Sequence, residues 1–234
     1  MAVQRRAPQV APQRTAPVSA PTGEKTAGAE SVAAPPPGTI DKTTVDTTPQ
    51  EKAERLYRSA LVLLNQGRGD DGLTTLRAAL REDPAHVPAR QMLIKTYFDS
   101  RSWDSAQGVL VDGLARLPQQ IDWALLLARL LAERGDNEGA LKVLDTHEAA
   151  GRKSAAYQGA VAAMLQRLGR QGDAIGRYRQ AVQLESTNGR WQLGLATALE
   201  AEGQAAEARE AYQRAVAAGN LPAELQAFAA AKLK

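Results

Sequence analysis

The stretch GRQGDAIGRYRQA, residues 169–181, recurs 34 residues later as GQAAEAREAYQRA, residues 203–215. In both copies a glycine comes first, an alanine follows five residues on, a tyrosine nine residues on and a second alanine twelve residues on. A glycine followed by this pattern predicts a turn that enters a helix. Self-similarity at a fixed period of this length indicates a solenoid, in which short helical units stack side by side.

The same register extends in both directions without an insertion. It divides the chain into five repeats, at residues 53–86, 87–120, 121–154, 155–188 and 189–222. Position 20 of each repeat is small: Gly72, Ala106, Ala140, Ala174 and Ala208. Position 24 is large: Leu76, Leu110, Leu144, Tyr178 and Tyr212. A small residue and a large one at constant offsets predict that both are structural packing positions between neighbouring helices.

The period and these positions together resemble the tetratricopeptide repeat, a helix-turn-helix unit, over residues 53–222. The resemblance implies an all-α fold, a right-handed superhelix of about five helix pairs. We expect the solenoid domain to occupy residues 50–234. Its last segment, 223–234, should be a capping helix that shields the final repeat from water, with Leu225, Phe228 and Ala229 on its apolar stripe.

Residues 1–49 differ sharply in composition from the rest of the chain. The first 50 residues hold eight of the twelve prolines, among many alanines and threonines. Such a segment buries too little apolar surface to offset its ordering entropy, so we predict a disordered Ala/Pro/Thr-rich linker over 1–49. A docking motif for a proline-binding groove is the alternative, although proline-rich tracts offer such matches by chance. Whether a transmembrane helix precedes the linker is left open.

Local signals predict where the helices begin and end. Thr48, Pro49 and Glu51 match a helix N-terminus with a capping box. Asp70 is the predicted N-cap of the second helix. The glycine that ends the first helix of a repeat in the left-handed conformation recurs as Gly67, Gly135, Gly169 and Gly203. Arg101 stands in that place in the second repeat, so the turn there is less well specified.

The third repeat departs from the pattern in its second helix. His147 replaces a small residue, Glu148 replaces an apolar one and Arg152 stands where other repeats have proline. We predict that this is the weakest junction of the solenoid and that it opens early.

Composition argues against several kinds of chemistry. The formal charge is +3, with acidic and basic residues interspersed, which does not favour nucleic-acid binding. The chain has no cysteine and only two histidines, His86 and His147, which lie far apart and outside any metal-binding motif. We therefore expect no enzymatic activity, no cofactor, no metal and no small-molecule substrate, and we interpret both histidines as structural. No apolar run reaches the ~20 residues of a membrane span.

The resemblance implies a binding groove on the concave face, lined by the first helix of each repeat. The predicted partner-binding residues are Tyr57, Leu61, Met92, Lys95, Phe98, Leu125, Arg129, Arg167, Arg190 and Leu193, with Arg58, Leu64, Leu126 and Gln166 also facing inward. Apolar groups mixed with basic ones suit a peptide or helix of a partner protein that carries apolar anchors and some acidic residues. For Leu126 and Leu193, packing between neighbouring helices is the alternative. Tyr57 and Leu61 occupy the places where the family's clamp for C-terminal carboxylates needs Lys and Asn, so that clamp is not predicted.

The organisation of the chain resembles the MshN family of biogenesis proteins for MSHA-class type IV pili. A basic proline-rich spacer, about five repeats and the ending LPAELQAFAAAKL at residues 221–233 carry this resemblance. It implies a non-enzymatic scaffold at the periplasmic face of the inner membrane, reached through a partner or an upstream anchor. The alternative is a soluble adaptor or regulatory module unrelated to pili, cytoplasmic in that case.

Overall fold

The structure is a computed structural model that describes residues 48–234. The predicted linker lies outside the described residues, except for Thr48 and Pro49 at its end. Residues 48–234 form twelve helices and no strand, as the predicted all-α class requires. The helices are α1 (Pro49–Asn65), α2 (Gly69–Glu82), α3 (Val87–Asp99), α4 (Trp103–Arg116), α5 (Ile121–Glu133), α6 (Asn137–Thr146), α7 (Glu148–Gly151), α8 (Ala155–Arg167), α9 (Gln171–Leu184), α10 (Gly189–Ala201), α11 (Ala205–Ala217) and α12 (Ala223–Ala231).

The helices stack in sequence order. Each first helix packs against the second helix of its own repeat and against the second helix of the preceding repeat. First helices also contact one another, α1 with α3, α5 with α8 and α8 with α10. This arrangement creates one surface built from successive first helices.

The start of α1 is confirmed and that of α2 is corrected. The Thr48 hydroxyl accepts a hydrogen bond from the Glu51 amide at 3.2 Å, and the Glu51 carboxylate accepts one from the Thr48 amide at 2.9 Å. The predicted N-cap at Asp70 is wrong, because α2 already begins at Gly69, with Arg68 as its N-cap. Asp70 instead lies in the first turn, where a negative charge interacts favourably with the helix dipole.

The turns inside the repeats share a left-handed residue. Gly67, Gly135, Gly169 and Gly203 have φ between 75° and 86°, as predicted. Arg101 adopts the same conformation, with φ 55°, and it is the only non-glycine residue with positive φ in the described part of the chain. The second repeat therefore keeps the common turn at the cost of backbone strain, since a Cβ disfavours this region.

We predict opposite stability changes at two of these turns. Gly135→Ala should lower the free energy of unfolding by about 1–2 kcal/mol because alanine is strained at that φ. Arg101→Gly should raise it by up to about 1 kcal/mol because the strain is relieved. Urea unfolding followed by circular dichroism measures both changes. The control is Gly176→Ala in the interior of α9, where an added Cβ meets no atom within 4 Å and helix propensity should stabilise by up to ~1 kcal/mol. If Gly135→Ala stabilised the protein as the control does, the left-handed turn would be disproved.

The hydrophobic core runs between the two helical layers. The small and large residues at positions 20 and 24 are all buried in it. One cluster of buried side chains extends from Ala128 in α5 to Ala229 in α12, and two smaller clusters fill the space among α1 to α5.

Several aromatic rings pack directly on glycines. Trp123 lies against Gly113, Tyr157 against Gly151 and Tyr178 against Gly194. Gly151 and Gly194 leave no room for a Cβ beneath the ring, and at Gly113 a Cβ would lie 3.0 Å from the Trp123 ring. These contacts bring a helix backbone close to its neighbour, which alanine would not allow without a shift.

Three buried polar side chains share position 4 of their repeats: Arg90, Gln158 and Gln192. Arg90 donates to the carbonyl of Pro84 at 2.8 Å, and Gln158 donates to the carbonyl of Arg152 at 3.0 Å. Pro84 and Arg152 both stand at position 32 of the preceding repeat. The two side chains therefore satisfy equivalent carbonyls in successive inter-repeat connections.

The irregular third repeat contains a helix break at His147, between α6 and α7. The break is tied to its surroundings: the Tyr157 hydroxyl donates to the carbonyl of Leu144, and Arg177 forms an ion pair with Glu148 at 2.8 Å. The large hydrophobic cluster also continues across this junction. Early opening of the junction stays a prediction.

The last helix, α12, packs against α11. Ala229 is buried, Gln226 donates to the carbonyl of Val216 at 3.0 Å and Lys232 forms an ion pair with Glu200 at 2.8 Å. Leu225 and Phe228 remain 38% and 43% exposed. The predicted apolar stripe is therefore only partly buried, because Phe228 covers the edge of Tyr212 rather than entering the core.

Candidate functional site

A pocket of about 620 Å³ opens between the first helices of the last three repeats. Its walls come from α5, α8 and α10, with Leu144 of α6 also contributing. Most of the lining is apolar and small: Ala128, Ala132, Ala156, Gly159, Ala160 and Ala163, with the larger Leu125 and Met164. A volume of this size lies within the ~300–1,000 Å³ range of ligand-binding sites.

Trp191 forms one wall of the pocket and is held in place from two sides. Its ring lies on Gly159 of α8, where a Cβ would collide with it. Its indole Nε1 donates a hydrogen bond to the Glu185 carboxylate at 3.0 Å. Hydrogen bonds from Trp191 and Asn188 lower the pKa of Glu185, so this carboxylate remains an acceptor at neutral pH.

Three arginines and one glutamate also line the pocket. Arg129 forms an ion pair with Glu133 one turn along the same helix, Nε to Oε1 2.8 Å. The side chains of Arg167 and Arg190 are exposed and form no ion pair with any residue of 48–234. The pocket therefore combines an apolar lining with two guanidinium groups that lack an acidic partner in the described chain.

The structure brings together only part of the predicted groove. Leu125, Arg129, Arg167 and Arg190 line the pocket. The other predicted residues lie elsewhere: Tyr57, Leu61, Met92, Lys95, Phe98 and Leu193. Tyr57, Met92 and Phe98 are half-buried and pack on the core of the first two repeats, and Lys95 pairs with Asp99 on its own helix.

Two predicted inward-facing residues are engaged in the fold. Leu193 is 7% exposed and belongs to the large hydrophobic cluster, so it is not available to a partner. The Gln166 amide donates to Thr197 at 3.1 Å and accepts from the Tyr178 hydroxyl at 3.2 Å. It thus connects α8 with α10 and α9 rather than facing the pocket.

The small residues of α8 and Trp191 are the pocket residues that the sequence interpretation missed. Trp191 shares position 3 of its repeat with Trp123 and Tyr157, which are fully buried. Trp191 differs because its ring lies on α8, a first helix, whereas Trp123 and Tyr157 contact glycines of the preceding second-helix segment. The sequence signal for this difference was Gly159, at position 5 of the fourth repeat, because its missing side chain leaves room for the Trp191 ring.

Both histidines have structural contacts. His86 is the N-cap of α3: its Nδ1 accepts from the Ala89 amide at 3.1 Å, and its Nε2 lies 3.2 Å from the Glu54 carboxylate. Because Nδ1 accepts, Nε2 carries the proton and donates to Glu54. The Nδ1 atom of His147 lies 3.0 Å from the carbonyl of Pro118.

Comparison with known proteins identifies the type of repeat. Tetratricopeptide-repeat family profiles match residues 63–130, 103–164 and 165–223. A search of curated proteins returned no match. Within the described residues, no helix is long and apolar enough to cross a membrane.

Solved structures share the fold. A MamA protein aligns at TM-score 0.61 with 18% identity, over 72% of this chain and 92% of that one. A thermophilic tetratricopeptide-repeat protein of Thermus thermophilus aligns at TM-score 0.54 with 23% identity, over 77% and 98%. YrrB, described as having an unusual peptide-binding site, aligns at TM-score 0.62 with 14% identity, over 76% and 92%. At sequence identities of 14–23%, the similarity to these structures shows a shared fold alone.

Proposed function

Because the chain belongs to the tetratricopeptide-repeat family, we propose that it is a non-enzymatic scaffold that binds a segment of a partner protein in the pocket between α5, α8 and α10. The observation that carries the proposal is the pocket itself, an apolar concavity built from three successive first helices. Peptides bind such grooves by placing apolar anchors between helices. A peptide-binding site described for YrrB, which has the same fold, supports this assignment.

The finer proposal is that the partner is a component of an MSHA-like type IV pilus or a related secretion system. The order of proline-rich segment, five repeats and the ending LPAELQAFAAAKL supports it. In that case the repeats act at the periplasmic face of the inner membrane. The second candidate is an adaptor unrelated to pili, for which the family's general role in protein interaction is the support.

Site-specific photo-crosslinking tests the binding site. A photoreactive phenylalanine derivative in place of Ala160, which lines the pocket, should crosslink to a partner protein in cells that produce the full chain. The same group in place of the exposed Ala115 on α4 should give no such product. Mass spectrometry of the product then separates pilus or secretin components from unrelated proteins.

A blocking variant provides the complementary result. Ala160→Trp places an indole in the pocket and should abolish the crosslink from a second probe position at Ala156, whereas Ala115→Trp should leave it intact. Two results would rule out this pocket as the binding site. One is equal crosslinking from the probes at Ala160 and Ala115, and the other is crosslinking from Ala156 that Ala160→Trp leaves unchanged.

A further inference from the structure

We infer that the segment bound in the pocket carries at least two carboxylates beside its apolar anchor, and that Arg167 and Arg190 bind them. This inference rests on the proposed function, because it names the chemistry of the partner that the pocket selects. The carboxylates are recognised by two residues from adjacent repeats, Arg167 at the end of α8 and Arg190 at the start of α10.

The basic residues of the first helices differ in whether an acidic residue pairs with them. Five basic residues were predicted to face inward, and one of them, Arg58, forms an ion pair with Glu54 on its own helix. Lys95 and Arg129 are each paired with an acidic residue four positions on, Asp99 and Glu133. Their charge is compensated within the protein. Arg167 and Arg190 have no such partner in residues 48–234, and both line the same pocket. The uncompensated positive charge of this surface is therefore concentrated at the pocket.

The surroundings of Arg167 and Arg190 favour binding of a carboxylate. The pocket wall beside the arginines is apolar, with Ala163 and Met164 on α8 and Trp191 on α10. A low-dielectric wall strengthens the interaction of a charge with its partner. Guanidinium groups bind carboxylates through paired hydrogen bonds, which adds directional preference to the attraction. An acidic residue next to an apolar anchor fits this combination, and a basic segment is repelled.

Trp191 links the apolar and charged parts of the site. Its ring is fixed on Gly159, and it lines the same pocket as Arg190. An anchor that contacts the indole therefore brings its neighbouring residues close to Arg190. Trp191 also supplies an optical signal for binding in the pocket.

Selection from a random peptide library tests the inference directly. The full chain is immobilised and challenged with a phage-displayed library of twelve-residue peptides, with Arg81→Glu/Lys142→Glu and Arg167→Glu/Arg190→Glu as matched double variants. Arg81 and Lys142 are exposed residues on second helices, so both variants change the net charge equally. Wild type and the Arg81/Lys142 variant should enrich peptides with two or more acidic residues flanking an apolar one. The Arg167/Arg190 variant should lose these peptides.

Affinity measurements on the enriched peptides complete the test. Trp191 fluorescence should change on peptide addition, and the change should disappear in Trp191→Phe. Arg167→Glu/Arg190→Glu should weaken binding by roughly tenfold or more, and replacing the peptide's acidic residues by their amides should do the same.

Three other results would each contradict a specific part of the inference. Enrichment of neutral or basic peptides that still quench Trp191 would overturn the acidic preference and leave the proposed function standing. Acidic peptides that bind the Arg167/Arg190 variant equally well would place the acidic site elsewhere and overturn the assignment of these arginines. Failure to enrich any peptide overturns the inference, and the proposed function then fails as well only if the Ala160 crosslink is also absent.

Discussion

Replacement of Arg90 by alanine is expected to destabilise the protein by about 3–5 kcal/mol, because this buried side chain makes charged hydrogen bonds to both of the first two repeats. It is only 2% exposed. Its guanidinium donates to the carbonyls of Pro84 at 2.8 Å and Val109 at 3.0 Å, and it forms an ion pair with Asp112 at 2.8 Å. It also lies over the Trp123 ring, 5.9 Å from the centroid.

Truncation removes these interactions and leaves a cavity under Trp123. It also removes the Arg90 donor from the Pro84 carbonyl, which lies between helices, and an unsatisfied buried carbonyl costs about 1–3 kcal/mol. Lysine cannot replace the fork of donors, so Arg90→Lys should recover only part of the lost stability.

Urea and thermal unfolding of Arg90→Ala measure the change. The matched control is Arg58→Ala, which removes an exposed ion pair with Glu54 on α1 and should alter stability by less than about 0.5 kcal/mol. A change in Arg90→Ala no larger than in this control would show that Arg90 does not hold the junction between the first two repeats.

The stability that Arg90 contributes should also depend on pH. Partial burial raises the pKa of Asp112, but hydrogen bonds and charges from Arg90 and Arg116 outweigh it, so the pKa lies below its ordinary value of 3.8. A lowered pKa contributes stability that is present above the ordinary value and is lost as the pH falls through the folded-state value. The stability difference between wild type and Arg90→Ala should therefore narrow below about pH 4.

The second large effect is expected at Tyr178, where alanine should cost about 3–5 kcal/mol. The ring is 6% exposed and packs on Gly194 of the next repeat. Its hydroxyl donates to Gln166, which in turn donates to Thr197. Truncation therefore leaves a cavity where α8, α9 and α10 meet and breaks the connection between them.

Tyr178→Phe serves as the control because it keeps the ring and removes only the hydroxyl. It should cost about 1 kcal/mol, the value of one hydrogen bond. Gly194→Ala should also destabilise, by roughly 1–3 kcal/mol, because the added methyl group would meet the Tyr178 ring. Unchanged thermal and urea midpoints in Tyr178→Ala would show that the repeat register is wrong.

The regular part of the fold follows from local sequence. A glycine with positive φ ends a helix by itself, and Gly67, Gly135, Gly169 and Gly203 all do so. The capping box at Thr48 depends on residues three positions apart, and it formed as predicted. Arg101 shows the limit of local reasoning, because stacking of the flanking helices imposes the common turn on a residue that disfavours it.

The candidate site was harder to predict because it depends on residues far apart in sequence. The repeat pattern assigned equal roles to Lys95, Arg129, Arg167 and Arg190, yet only the structure shows which of them are paired. Leu193 occupies a position predicted to face a partner, but close packing of α10 places it in the core. Trp191 occupies the same repeat position as Trp123 and Tyr157, yet it lines the pocket while they are buried.

The sequence by itself determined the period, the helix pairs and the small and large positions that hold them together, because each of these depends on residues within one or two turns of a helix. Tertiary structure alone decided which basic residues remain uncompensated, where the rings of the position-3 aromatic residues lie, and that a pocket opens over the small residues of α8. The physical reason is that these features arise from contacts between neighbouring repeats, and such contacts depend on the shapes of several side chains at once.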